Sequence, residues 1–340
     1  MSSAAASVPA APDAVATMRA ITQPVYGPPE ALRAADLPRP VPAAGEVLVR
    51  VAAAGIDPSI WHLLAGDPRI VRLAAGLRRP RRLVPGLDVA GTVVAVGEGV
   101  TSSQPGDEVF GVGRGVLAEF TVARADRCLH RPETVTVEQA AALPVSATTA
   151  LQAVRRSGRV QAGHDVLVLG AGGGVGTFAV QVAVADGARV TAVCSDGKAD
   201  LVRSLGASEV IDYHRTDPLS GDRRYDVIID IAGLRPLPHL RRALTPTGTL
   251  VIVGGEGGGA WLGGLGRNLR ASLTTPLVRQ QLRWIVATTG PEDLQELAAA
   301  VADGTLSPVL DRTFPLDRSA EALRYVKDGH ALGKVVVTVP

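Results

Sequence analysis

The sequence predicts a two-part α/β protein, in which a doubly wound parallel sheet is joined to a smaller β-rich domain. Its 340 residues exceed what one hydrophobic core usually fills, about 250 to 300 residues. In the second half, short apolar strands alternate with helices, which is typical of a parallel sheet covered on both faces. In the first half, short strand candidates are separated by glycine-rich turns, which favours a small barrel or sandwich.

The strongest local pattern is a buried strand that breaks into glycine and continues as a helix. Val166–Leu169 is an apolar run, and Thr177–Asp186 has helix-forming residues at helical spacing. Such a turn brings backbone N–H groups close to an anion, and the helix N-terminus adds partial positive charge. We therefore expect a diphosphate here, and the predicted contacts are Gly173, Gly174, Val175 and Gly176.

The first half contains mainly strand candidates. We predict strands at 19–25, 46–56, 89–97, 107–112 and 118–123, with helices at 58–66 and 133–143. Six arginines between positions 69 and 82 form a basic loop. Because no aromatic residues are interleaved for base stacking, a solvated loop is favoured over a nucleic-acid patch.

The second half contains the alternating elements. After the glycine turn we predict strands at 189–194, 210–212, 226–230, 249–254 and 283–288, with helices at 198–205 and 235–244. Helices at 292–302 and 319–327 and strands at 309–314 and 334–339 follow. The last two strands exceed the count of the parallel sheet, so we expect them to return to the β-rich domain.

Composition narrows the function class. The formal net charge is +2, which gives no reason to expect nucleic acid or an anionic membrane as a partner. No apolar run is long enough for a membrane span. Two cysteines, Cys128 and Cys194, are too few for a disulfide framework, so a reducing, cytoplasmic location is the simpler expectation. Residues 1–17, rich in Ala, Ser and Pro, are expected to be a disordered extension.

Several motifs together resemble the medium-chain dehydrogenase/reductase superfamily, specifically its zinc-free quinone oxidoreductase-like branch. They are Gly45-Glu-Val-Leu-Val-Arg-Val-Ala-Ala-Ala-Gly-Ile, Pro85-Gly-Leu-Asp-Val-Ala-Gly, Pro105-Gly-Asp-Glu-Val-Phe-Gly, the Gly173–Gly176 turn, Leu205-Gly-Ala-Ser-Glu-Val-Ile-Asp-Tyr and Gly329-His-Ala-Leu-Gly-Lys-Val-Val. The resemblance implies a GroES-like catalytic domain at 18–145, a Rossmann domain at 146–288, and a segment at 289–340 that returns to the catalytic domain. The active site is expected in the cleft between the two domains.

The resemblance also implies where a catalytic zinc would be bound. The ligand positions of zinc-dependent relatives correspond to Asp57, Leu87 and Val145. One oxygen ligand without His or Cys does not make the tetrahedral site that zinc prefers, so we predict no metal. Without a Lewis acid, quinones and α,β-unsaturated carbonyls are easier hydride acceptors than simple ketones, because their incoming charge is delocalised.

Asp57 and His62 are the candidate catalytic residues. They stand where related reductases often carry Asn and Tyr. His62 is a proton-donor candidate or an ordinary helix residue. Asp57 is a candidate for the chemistry, for orienting the nicotinamide ribose, or for capping the helix that follows.

The cofactor is predicted to be NADPH, with NADH less favoured. The ribose is normally read at the end of the second strand, where the chain has Ser195, Asp196 and Lys198. Ser195 can donate to a phosphate, Lys198 is one of only three lysines, and Tyr213 matches the position from which related reductases contact the 2′-phosphate. Asp196 argues for NADH. Lys198 is otherwise an ordinary first-turn residue.

The same resemblance assigns the nicotinamide end of the site. Thr149 matches a threonine that faces the nicotinamide, with helix packing as its alternative, and Gly254 is expected beside this end of the cofactor. The glycine-rich segment 255–266 is a mobile cover over the cleft, with Trp261 as its substrate contact, or a plain linker.

The leading function is therefore NADPH-dependent reduction of a small-molecule quinone or enone. A cofactor-binding sensor or assembly protein without turnover is the alternative. We expect a homodimer through the edge strand at 283–288.

Overall fold

The computed structural model describes residues 16–254, 261 and 263–340. Residues 1–15 of the predicted extension and most of the glycine-rich segment lie outside this part of the chain, whereas Thr17, also assigned to the extension, is the first residue of a strand. In the described residues, no helix is long and apolar enough to cross a membrane.

The first part of the chain contains six strands and four short helices. In order, they are β1 (Thr17–Thr22), β2 (Arg33–Pro38), β3 (Glu46–Ile56), α1 (Pro58–Ala65), α2 (Val71–Ala75), β4 (Asp88–Val96), β5 (Glu108–Gly113), β6 (Phe120–His130), α3 (Val137–Ala141) and α4 (Pro144–Leu151). Helix α4 continues as a π-helical stretch, Gln152–Ser157.

The second part alternates strands and helices. In order, they are β7 (Asp165–Leu169), α5 (Gly174–Ala185), β8 (Arg189–Cys194), α6 (Ala199–Ser204), β9 (Glu209–Asp212), β10 (Tyr225–Asp230), α7 (Leu237–Arg242), β11 (Leu244–Ile252), α8 (Leu265–Thr274), β12 (Gln281–Trp284), α9 (Pro291–Ala302), β13 (Leu310–Pro315), α10 (Ser319–Lys327) and β14 (Lys334–Thr338).

The fold contains two six-stranded sheets, and the predicted parallel sheet and β-rich domain are both confirmed. The parallel sheet has the order β12-β11-β10-β7-β8-β9, so its strand order reverses at β7, the strand that enters the glycine turn. The second sheet has the order β13-β14-β3-β4-β5-β6, and an additional β3–β6 pairing closes it. Strands β13 and β14 join this second sheet, as expected. Ligands bind parallel sheets of this kind outside the carboxyl ends of the strands, at the reversal point.

A continuous apolar core joins the two sheets. One buried cluster combines Ala53 and Ala90 of the closed sheet with Val166 of the parallel sheet, Phe178 of α5 and Leu143 before α4. Helix α4 is buried on nearly all sides, because Ala147, Thr148, Ala150 and Leu151 are each at most 2% exposed. The floor of the cleft between the sheets is therefore closely packed.

Several predicted elements differ from the observed ones. The arginine segment contains helix α2, and the predicted strand at 283–288 is the shorter β12. Strand β6 extends to His130, beyond its predicted end at residue 123. In this added part, the charged residues Arg124 and Asp126 alternate with the buried Ala125. The strand pair β1–β2 and helices α4 and α8 were not fully anticipated, since β2 is a largely exposed edge strand and α4 has no polar face.

Candidate active site

The glycine turn follows β7 at the point where the sheet order reverses. A Cβ at Gly173 would meet no protein atom closer than the Gly170 oxygen, at 3.7 Å. Gly173 has φ −97°, so its backbone does not require glycine, whereas a Cβ at Gly176 would overlap the Gly170 oxygen and lie 2.7 Å from backbone atoms of Ala171. The two glycines thus serve different purposes: Gly173 leaves space beside the helix N-terminus, and Gly176 allows the strand and helix to pack closely. This cradle fits a dinucleotide diphosphate.

The last strand of the chain reaches this turn from the closed sheet. The Gly333 N–H donates to the Gly172 carbonyl at 3.1 Å, and Gly173 forms an isolated parallel bridge with Gly333. The next residue, Lys334, is 1% exposed, and its stem lies 3.0 Å from where a Cβ of Gly174 would be. The two sheets therefore meet at the anion-binding end of α5.

Lys334 belongs to a buried polar cluster. Its Nζ donates to Ser146 Oγ at 2.9 Å and lies 3.6 Å from Asp88 Oδ2. Asp88 is fully buried, and its Oδ1 accepts the Val145 N–H at 2.9 Å, while its Oδ2 has no hydrogen-bond partner. Burial raises the pKa of Asp88 to about 7, since the loss of hydration outweighs the nearby Lys334 charge.

Asp57 adjoins this cluster and caps α1. The residue is 4% exposed, and its Oδ1 accepts the Ser59 N–H at 2.8 Å. The cap is one of the predicted roles. The Oδ2 atom of Asp57 is buried without a hydrogen-bond partner, and its charge contributes to raising the pKa of Asp88. The Oδ2 atoms of both carboxyl groups are therefore buried without a hydrogen-bond donor, and Lys334 forms an ion pair with that of Asp88.

Two substitutions separate the capping role of Asp57 from any role in chemistry. Asp57→Ala is expected to lower the free energy of unfolding by about 1 kcal/mol, the usual cost of losing an N-cap. Asp57→Asn keeps the side-chain acceptor and is expected to preserve stability while lowering kcat. Urea denaturation and steady-state kinetics of both variants measure the two effects. Equal kcat for Asp57→Asn and the wild type would show that Asp57 is a cap only.

The other predicted nicotinamide-side residues lie around this cluster. Thr149 is half-buried on α4, and its hydroxyl donates to the Val145 carbonyl at 2.7 Å, the helix-packing alternative, with its oxygen still able to accept. The Gly254 N–H donates to the Asp230 carbonyl, and a Cβ there would overlap the Ile231 oxygen. Protein packing alone therefore explains the glycine at 254.

His62 is half-buried near the C-terminal end of α1. Its Nδ1 lies 3.1 Å from the Asp67 carbonyl oxygen. Because a carbonyl only accepts, Nδ1 is the donor in this hydrogen bond. His62 thus lies at the opposite end of α1 from Asp57.

The predicted adenosine edge forms at the ends of β8 and β9. Ser195 follows β8, and Tyr213 follows β9 with its ring 48% exposed. Lys198 Nζ donates to the carbonyls of Gly329 at 3.1 Å and Ala331 at 2.6 Å, and burial lowers its pKa. Lys198 therefore ties this edge to the loop before β14.

Arg215 changes the charge of the adenosine edge, and the sequence analysis did not anticipate it. Its guanidinium lies 3.6 Å from Asp196 and 3.4 Å from Asp212. The acidic residue that argued for NADH is therefore balanced by a cation. Arg215 and Asp196 are largely exposed, whereas Asp212 is not. Their ion pair therefore contributes little to the stability of the fold and mainly makes the electrostatic potential at the adenosine edge less negative.

A second unanticipated charge pair lies at the carboxyl end of β10. Arg267 of α8 forms an ion pair with Asp230, which is fully buried and also accepts the Gly233 N–H at 3.0 Å. Little in the sequence indicated this pair, because Arg267 follows the glycine-rich segment. Asp88 and Lys334 were visible only as members of two of the motifs that carry the family resemblance.

Metal-binding side chains do not gather in the described part of the chain. Within these residues, no group of three or more His, Cys, Asp or Glu side chains could hold a metal ion. At the three positions named by the resemblance, Asp57 is a helix cap, Leu87 is half-buried beside Asp88, and Val145 donates its N–H to Asp88. This donor set does not fit zinc.

Family models match both parts of the chain. A model described as an alcohol dehydrogenase GroES-like domain matches residues 43–133, and one described as a zinc-binding dehydrogenase matches residues 205–337. The chain is 32% identical over 337 residues to the chloroplastic quinone-oxidoreductase QR1 of Triphysaria versicolor, covering 94% of this chain and 98% of that protein. The chain belongs to the medium-chain dehydrogenase/reductase family, in its quinone oxidoreductase-like branch.

Other members of the family show the same likeness. The medium-chain dehydrogenase/reductase described here is 35% identical over 326 residues to the mitochondrial NAD(P)H oxidoreductase RTN4IP1 of Mus musculus, covering 86% of this chain and 82% of that one. The structure of the quinone oxidoreductase from Coxiella burnetii matches with a TM-score of 0.83 and 27% identity, over 96% of this chain and all of the other. A mycobacterial structure complexed with NADPH matches with a TM-score of 0.79 and 26% identity, over 94% of this chain and 99% of the other. The chain is an oxidoreductase that uses a nicotinamide cofactor.

Proposed function

We propose that this oxidoreductase transfers hydride from NADPH to a quinone or an α,β-unsaturated carbonyl without zinc. The observation that carries this proposal is the glycine cradle beside a buried cluster whose two carboxyl groups, without His or Cys, do not make the tetrahedral site that zinc prefers. The names of the relatives, which include quinone oxidoreductases of plants and Coxiella burnetii, support the substrate class.

Different residues would bind the diphosphate, the adenosine ribose and the nicotinamide of the cofactor. Backbone N–H groups at 174–176 and the α5 terminus would receive the diphosphate, and Ser195, Lys198 and Tyr213 would hold the adenosine ribose phosphate. When bound, the reduced nicotinamide supplies the hydride. The buried Asp57 Oδ2 would accept from a ribose hydroxyl and so orient the ring, and Thr149 would face it. Burial of the cluster keeps water away from the reacting atoms.

The protonation step is assigned to His62. Its Nδ1 is held by the Asp67 carbonyl, which orients the ring, and the protonated imidazole would donate a proton to the reduced acceptor. A delocalised enolate or hydroquinone anion needs only such a donor or water to complete the reduction, because its charge is spread over several atoms.

Lys198 tests the choice of NADPH over NADH. Lys198→Glu is expected to raise the Kd for NADPH by at least tenfold and to leave the Kd for NADH nearly unchanged, since only NADPH has the 2′-phosphate. Fluorescence titration with each nucleotide measures this. Arg203→Glu is the control, because Arg203 is exposed on α6 and pairs with Asp200. An unchanged NADPH affinity in Lys198→Glu would remove this assignment.

Turnover on a substrate panel tests the reaction. NADPH oxidation is expected with quinones and enals. With saturated ketones the rate is expected to be at least about 100-fold lower, because these acceptors do not delocalise the incoming charge. Tight NADPH binding with no turnover on any acceptor would instead support a sensor or assembly protein.

A further inference from the structure

A cavity in the closed-sheet part of the protein lies beside α1, the helix that Asp57 caps. Its volume is about 460 Å³, and it lies between α1, α2 and the segment that leads into β4. Its lining includes Ile60, Leu63, Val84 and Leu87, so most of the wall is apolar. This volume is in the usual range for a small-molecule site.

The cavity is connected through the backbone to the buried carboxyl groups. Leu87, on its wall, precedes Asp88, and Ser59, also on its wall, donates its N–H to Asp57. A ligand that fills this cavity therefore reaches the end of α1 where Asp57 lies. Such a position suits the part of an acceptor molecule that extends away from the reacting carbon.

Two polar atoms on the wall have no protein partner. Gln23 is 4% exposed, and its side-chain Oε1 is buried without a hydrogen bond. The Ser59 Oγ atom is likewise buried and without a hydrogen-bond partner. Unpaired buried polar atoms are costly, so a ligand that supplies a hydroxyl to them binds more tightly than one that does not.

The rim of the cavity is positively charged. Arg81 and Arg82 line it, both are exposed, and neither forms a salt bridge with any residue that the structure describes. The guanidinium fork binds carboxylates well in two-point geometry. An acid group on the ligand is therefore favoured at the rim.

We propose that this cavity selects acceptors that carry a hydroxylated, two-ring aromatic or quinone body with an acid group. The Gln23 and Ser59 side chains would receive the hydroxyl group, and Arg81 and Arg82 the acid. This inference rests on the proposed function, because it names the substrate class of that site.

Binding of non-reducible probes tests the proposal without requiring turnover. Isothermal titration of the full chain with NADP⁺ present compares 6-hydroxy-2-naphthoate, 2-naphthoate and 2-naphthol. The hydroxyl is expected to tighten naphthoate binding at least tenfold, and the carboxylate is expected to tighten naphthol binding severalfold in a salt-dependent manner. Naphthoates that bind equally with and without the hydroxyl would overturn the proposal.

Variants assign each preference to its residues. Gln23→Leu and Ser59→Ala are expected to remove the hydroxyl preference and to leave 2-naphthoate affinity unchanged. Replacing both Arg81 and Arg82 with Gln is expected to weaken both naphthoates equally and to leave 2-naphthol unchanged. Arg78→Gln, an exposed change in the same segment outside the cavity lining, is the control and is expected to match the wild type.

The outcomes separate this inference from the proposed function. A hydroxyl preference that survives in both Gln23→Leu and Ser59→Ala would overturn the cavity assignment, even if quinones are reduced. If Gln23→Leu does not fold, Ser59→Ala carries the same test, because it is a half-buried position at the start of α1. Selective probe binding in a protein that reduces nothing would support the cavity as a site and contradict the proposed reaction.

Discussion

Gly173→Ala is expected to weaken NADPH binding by roughly 100-fold while leaving the free energy of unfolding within about 0.5 kcal/mol of the wild type. The new methyl group has room within the protein, since its nearest atom would be the Gly170 oxygen at 3.7 Å. It would instead occupy the space where the diphosphate approaches the backbone. Nucleotide titration and urea denaturation measure the two quantities.

Two other glycine substitutions, at the same turn and on α8, give this prediction its controls. Gly176→Ala is expected to lower the free energy of unfolding by about 2 kcal/mol or more, because its methyl group collides with backbone that cannot move aside. Gly266→Ala has no atom within 4 Å and is expected to change neither quantity appreciably. Wild-type NADPH affinity in Gly173→Ala would show that the diphosphate does not lie on this turn.

Breaking the Asp88–Lys334 pair is expected to be the most destabilising single change in the cleft. Lys334→Met should lower the free energy of unfolding by about 3 kcal/mol or more, because it leaves the Asp88 carboxylate buried without its cation. Asp88→Asn should cost less, because the raised pKa of Asp88 shows that the fold already favours a neutral side chain at this position. The double variant is expected to recover most of the loss of Lys334→Met, since neither member of the pair is then left buried without its partner. Denaturation of all four proteins gives the coupling energy. Additive losses in the double variant would contradict an interaction between the two side chains.

The same carboxyl group should make stability depend on pH. The pKa of Asp88 is about 7 in the folded protein, above its ordinary value of 3.8. Between these values the folded state holds a proton that the unfolded state has released, so the contribution of Asp88 to stability falls as pH rises and is constant above about 7. Asp88→Asn should lose this slope, and a slope unchanged in that variant would assign it to other groups.

Much of the fold could be predicted because many strands and helices have a recognisable pattern of apolar residues within their own segment of the sequence. Strand β3 and the strand–turn–helix at 165–186 have continuous apolar runs bounded by glycine or proline, and their predicted limits are close to the observed ones. Helix α4 has no polar face because it is buried between both sheets, so it shows no helical period. Helix α2 was hidden by its arginines, which made the segment resemble a solvated loop.

The candidate site was readable only in part, because it is built from distant segments. The glycine turn is one continuous segment, so it can be recognised from the local sequence alone. The cluster of Asp88, Ser146 and Lys334 comes from three separate parts of the chain, and only the closed sheet brings β14 beside β3 and the glycine turn. Likewise, Arg215 neutralises Asp196 only because β8 and β9 are neighbours.

In the proposed reaction, a diphosphate-binding glycine turn and a cleft without a set of zinc ligands are sufficient for hydride transfer. The most direct test is the initial rate of NADPH oxidation with 1,4-naphthoquinone, measured on chelator-treated protein with and without added zinc. We predict that the metal-free protein turns over at full rate and that zinc does not raise it. Activity that disappears on chelation and returns with zinc would contradict the account.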